Sequence, residues 1–408
     1  MKYCLTLVLL SLISVCLYSC LKDTTTKRYV YFKPVYKTKE EVRANMKTGP
    51  AQDIQSPGKL FVKGSYIFLN EVDKGVHIID YSNPSSPKNI AFIAIPGNED
   101  IAVQGNYLFA DEYSDLVTFD ISNPLDIKLV DTDAGAFPER YYSPDADHII
   151  VDWIKVDTTI TGPDNSWWQK EYIEFDYAAA LPNASTPAKA GIGGSMARFT
   201  LMNNRLYTVD NHSLHIFNIE NNANPAFVTS VSAGYDIETI YPFKNELFIG
   251  SQEGMYIFNV DNPDAPYQLG TFTHAQACDP VIADSTFAYV TLRTGNTCNN
   301  ETEDVLHVLD VSNPANATLL KSYPFTNPHG LSKDGNTLFI CDGKDGLKLL
   351  NAADPLNITP ITTIGGFETY DVIALNNTAI VSAKEGLYLI NYTNPASAQI
   401  VGQLSINH

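Results

Sequence analysis

This chain is short of the residues from which most catalytic and metal sites are built. It has six cysteines in 408 residues, none in a Cys-x-x-Cys pair and none at a Cys/His spacing that suggests structural zinc. Its histidines, among them His77, His148, His215 and His307, are scattered, with no His-Glu-x-x-His and no Gly-x-Ser-x-Gly. No metal site or cofactor is therefore expected. Basic residues are few: 27 Lys and Arg face 46 Asp and Glu, a net charge of −19. That excludes nucleic acid as a partner, because phosphate contacts need a basic surface. Past the first twenty residues no apolar run approaches transmembrane length. No repeat unit holds a ten-residue stretch with helical apolar spacing.

What is present is a repeat. The stretch Gly75-Val76-His77-Ile78-Ile79-Asp80-Tyr81-Ser82-Asn83-Pro84 recurs in variants through residues 59–408. A short β-branched strand ends on Asp or Asn, whose side chain bonds the following amides and opens a turn, and Pro then stops the strand. The Asp/Asn position falls at 80, 120, 176, 218, 259, 310, 351 and 391, and five of the seven steps are 40 to 42 residues. The steps to Asp176 and Asp310 are longer and carry insertions.

A period near 40 residues fits a helical solenoid or a propeller blade. Strand content decides: each unit shows four short strand signals parted by Gly, Asn, Asp and Pro, as at 60–62, 66–70, 76–80 and 90–95. The expected fold is all-β, an eight-bladed β-propeller of four-stranded blades over 51–408, with seven blades and one degenerate unit as the alternative.

The motif best seen in Val308-Leu309-Asp310-Val311-Ser312-Asn313-Pro314 resembles the LVIVD-repeat family of bacterial β-propellers. The resemblance implies the fold and says almost nothing of function. The third copy departs most, with Ala178, Ala179 and Ala180 where Ser-Asn-Pro should stand.

Ahead of the repeats, residues 1–19 read as a signal peptide: Lys2, then an apolar run from Leu5 to Leu17. Leu17-Tyr18-Ser19-Cys20 resembles a bacterial lipobox, which implies acylation of Cys20 and a membrane-bound lipoprotein; Leu21 favours the outer membrane. Residues 20–50 form a basic arm, in which lysines and arginines outnumber Asp23, Glu40 and Glu41 by more than two to one. It is read as a tether, with Tyr29–Phe32 as a strand signal that can pair with a blade edge. Of the cysteines left, Cys278 and Cys298 form a disulfide or stay free, and Cys341 is a core thiol.

Propeller topology puts the start of each first strand at the channel mouth. The residues there are Lys59, Asp100, Arg140, Arg198, Glu238, Asp279, His329 and Asp371, all ionisable in a chain with 18% charged residues. Such a ring either satisfies itself by pairing or binds a small anionic or sugar-like ligand. Insertions at 157–168 and 293–304 fall on the same face, and Trp167 and Trp168 in the first can meet a sugar ring or a protein, or fold back as a lid. The expected function is a monomeric, non-enzymatic binding module for a protein or glycan. The alternatives are a polysaccharide hydrolase or lyase using channel-mouth carboxylates, and a structural envelope component.

Overall fold

Among the described residues, seven repeats each fold into four antiparallel strands whose second and third members are buried on both sides. In the first, Ile67 pairs with Ile79 and Phe68 with Ile78, and these four with Leu69 and Val76 are all at most 2% exposed. Burial of such side chains stabilises by about 1.5–3 kcal/mol each. The computed structural model describes residues 24–137, 147–163, 195–273, 280–284, 286–294 and 303–406. Among these, the unit formed by 37–149 and 186–408 holds seven such sheets. They are blades 1 (57–94), 2 (101–133), 3 (199–232), 4 (237–273), 5 (281–324), 6 (331–364) and 7 (369–405). First strands of successive blades pack together, and the first strand of blade 1 packs on the second strand of blade 7, which closes the ring. Seven apolar clusters each join two neighbouring blades; the closing one sets Leu60, Ile67 and Leu69 against Ile380, Leu387 and Leu389.

The repeated Asp-Ser-Asn-Pro turn is structural in every blade. The Asp or Asn side chain accepts from the amide two residues on, at 2.8–3.1 Å. That bond holds the carboxyls of Asp80 and Asp120 below the usual range. Each outer strand also carries one β-bulge at the same place, at Ile90, Val130, Val228, Leu269, Leu320, Ile361 and Val401. A bulge twists an exposed edge and discourages pairing with another chain.

The eighth expected blade is absent from the ring, so the seven-bladed alternative holds. The stretch counted as its start runs without a turn as one 16-residue strand, His148–Pro163. Blade strands are four to seven residues, whereas this one runs on through a series of β-branched residues, Ile149, Ile150, Val151, Ile154, Val156, Thr158 and Thr159, that favour an extended chain. It pairs with the arm strand Thr24–Thr38 in a separate two-stranded sheet. The Tyr29–Phe32 signal therefore finds this partner rather than a blade edge. The segment that does add to a blade is Lys47–Pro50, a fifth strand on blade 1. Between them a capping box of Thr38 and Glu41 starts the short helix Lys39–Arg43. Cys341 is buried and free, as expected, and burial pushes its thiol well up. No described helix is long and apolar enough to cross a membrane.

Candidate functional site

The first strands bring six of the predicted ionisable residues to one end of the ring axis. Lys59, Glu238 and Asp371 sit inside their strands, Asp100 and Arg198 just ahead of theirs, and His329 two residues ahead. Asp279, Arg140, Trp167, Trp168, Cys20, Cys278 and Cys298 lie outside the described residues.

Lys59, Asp100, Arg198 and Glu238 are coupled to one another, and His329 has neighbours of its own. Lys59 Nζ donates to Asp100 Oδ2 at 2.5 Å, and the Arg198 amide donates to the same oxygen. Asp100 Oδ1 accepts from the Ile101 amide at 2.7 Å, so this buried carboxylate has both oxygens occupied. Arg198 Nη1 lies 3.8 Å from Glu99 Oε2. Burial pushes the Glu238 carboxyl up, while Gln252, donating at 3.1 Å, and the charges of Arg198 and Arg293 pull it back. His329 Nδ1 accepts from Arg293 Nη1, its Nε2 lies 3.1 Å from the Asn327 side-chain amide, and its ring meets the Tyr370 ring edge-on at 5.7 Å.

Asp371 is the exception. Burial drives its carboxyl well above the usual range, against weaker opposing help from the Val372 amide, Ser195 and Lys59. Its Oδ2 is buried without a hydrogen-bond partner. Gly330 makes room for it, because a Cβ there would stand 1.8 Å from Asp371 Oδ1.

Across this mouth runs a segment of the chain itself. Residues 195–198 lead into blade 3, yet Ser195 Oγ accepts from the Leu331 amide of blade 6 at 2.9 Å and donates to Asp371 of blade 7 at 3.3 Å. The Ala197 carbonyl accepts from the Ile240 amide of blade 4 at 2.8 Å, and Arg198 binds Asp100 of blade 2. Four blades thus hold these four residues, from opposite sides of the axis.

Sequence reasoning missed Ser195, Arg293 and a set of carboxylates near the ends of second strands. Glu71, Asp111, Asp210 and Asp342 each accept two backbone amides from nearby loop segments, at 2.6–3.0 Å. Two of them also hold a buried histidine: Glu71 with His77 at 3.0 Å, and Asp210 with His215 at 2.8 Å. The signal is present in the sequence, since an acid stands at the end of the second strand in blades 1, 2, 3 and 6.

The architecture is that of a seven-bladed β-propeller. The chain carries LVIVD repeats: the LVIVD-repeat family model matches residues 49–92, 97–132 and 302–324. Solved structures share the fold at low identity. The computationally designed Ika8 protein is 7% identical over 88% of this chain and 91% of its own, with a TM-score of 0.53. A protein from Lactobacillus plantarum is 13% identical over 84% and 97%, with a TM-score of 0.52. BamB from Moraxella catarrhalis is 10% identical over 83% and 85%, with a TM-score of 0.50. No curated protein sequence matches this one.

Proposed function

We propose that the chain is a cell-envelope lipoprotein, acylated at Cys20 and held at the bacterial outer membrane, whose propeller binds a protein or glycan partner without catalysis. The observation that carries the binding reading is the sealed mouth. Lys59, Asp100, Arg198 and His329 bond within the ring, and residues 195–198 cross its axis. This supports a rigid polar platform over a hollow reaction chamber. Ser195, the first described residue after the segment that carries Trp167 and Trp168, lies at this same end. Paired tryptophans on a rigid scaffold suit a sugar ring or a protein hot spot.

The test is partner capture from envelope extract and a glycan array, with wild type beside a Trp167→Ala/Trp168→Ala variant. A partner lost in the variant, whose thermal unfolding is unchanged, supports the reading. Turnover of a polysaccharide that Asp371→Ala abolishes would overturn it. Mass analysis of the native N-terminus tests acylation separately.

A further inference from the structure

The ribbon of Thr24–Thr38 and His148–Pro163 leaves large apolar side chains in water. Val30, Phe32 and Tyr36 are 43%, 41% and 44% exposed, and Ile154 is 54% exposed. Val30, Phe32 and Tyr36 are even-numbered along one strand, so they share a face. A two-stranded sheet with such a face is marginal in water and gains by covering it. Lys33 and Lys37 are exposed on the opposite face of the same strand and Lys155 is exposed on its partner, all within a Debye length (~10 Å) of the apolar face; Arg28 is paired with Asp157. Aromatic and aliphatic side chains beside lysines are the composition of surfaces that sit at the headgroup boundary of a bilayer. The occupant is also argued by position. Thr24 stands four residues after Cys20, a reach of at most about 14 Å at ~3.5 Å per residue.

We propose that this ribbon is a lipid-contact surface: Val30, Phe32 and Tyr36 enter the headgroup boundary, and the lysines attract anionic lipid. The inference rests on the lipoprotein reading for its geometry, but its test does not need the acyl group. The mature chain with Cys20→Ser is sedimented with vesicles of phosphatidylcholine alone or mixed with phosphatidylglycerol. Binding to the mixed vesicles is expected, weakening as salt rises. Phe32→Thr/Tyr36→Thr keeps β propensity and should weaken binding roughly tenfold on both vesicles. Lys33→Glu/Lys37→Glu should remove only the preference for anionic lipid. The inference is overturned if the Cys20→Ser chain binds neither vesicle, or if the aromatic double variant binds as well as its parent. Vesicle binding that fails while native Cys20 proves acylated sinks the ribbon proposal and leaves the lipoprotein reading standing.

Discussion

Ser195 Oγ lies 3.3 Å from Asp371 Oδ1, 176 positions along the chain and three blades round the ring from the sheet that Ser195 leads into. Both residues are buried, and the same hydroxyl accepts the Leu331 amide. Ser195→Ala strips that buried N–H of its acceptor, a loss of about 1–3 kcal/mol. Asp371→Asn should cost less, because burial already favours the uncharged acid and Asn copies its shape. Urea unfolding compares the two. A Ser195→Ala chain as stable as wild type would mean that the segment merely rests at the mouth.

Ring closure has its own narrow tolerance at Gly402, next to the bulge of the last outer strand. A Cβ there would stand 2.0 Å from the Pro84 carbonyl oxygen, in the Ser-Asn-Pro turn of blade 1. Gly270 meets the turn of blade 5 in the same way, 2.2 Å from the Pro314 oxygen. Gly402→Ala must push two blades apart and should cost about 1–3 kcal/mol. Gly365→Ala, with nothing within 4 Å, should stay within about 0.5 kcal/mol. Equal midpoints in thermal unfolding would dissociate closure from this contact.

The legible part of the fold was the part that repeats. Asp80-Tyr81-Ser82-Asn83-Pro84 states a turn in local chemistry alone, and every blade makes it the same way. The strand-one charges were legible for a related reason, since one repeat period carries Lys59 to the place of Asp100. What stayed hidden depends on distant partners. Phe175-Asp176-Tyr177 copies the motif, but the long strand before it belongs to a ribbon with residues more than a hundred positions away. Ser195 carries no local signal, and only ring closure brings Leu331 and Asp371 to it.

Glu112 predicts how stability follows pH. Burial first, then the charge of Asp115, push its carboxyl up to about 8, against the opposing pull of Arg43 and Lys39; Asp111 adds to the rise. Neither carboxyl oxygen has a hydrogen-bond partner. Because the folded value exceeds the unfolded one, this group's contribution is complete below about pH 4.5. It falls as pH rises toward 8, by at most about 1.4 kcal/mol per unit. Glu112→Gln should flatten that decline and raise the unfolding midpoint at pH 8 relative to wild type. Parallel pH profiles for the two chains would rule Glu112 out as the source.

Asp115 ties the arm to blade 2. Its buried carboxylate accepts Lys39 Nζ at 2.8 Å, Arg43 Nη2 at 2.5 Å and the Gly135 amide at 2.8 Å. Burial would raise its pKa, and these donors outweigh burial to bring it below the usual range. Either cation alone leaves the charge compensated, so Lys39→Ala and Arg43→Ala should each be mild. Together they strand a buried anion, which costs about 3 kcal/mol, the low end for such pairs because both cations keep some water. The coupling is thus greater than the sum of the singles. Adding Asp115→Asn should recover part of the loss, since an amide needs no counter-charge. Limited proteolysis near Lys39 should report the same order: the double variant cut fastest, the triple slower, the singles near wild type. Additive singles, or a triple variant no better than the double, would show that the helix is held by the Val42 side chain and the paired strand Lys47–Pro50 instead.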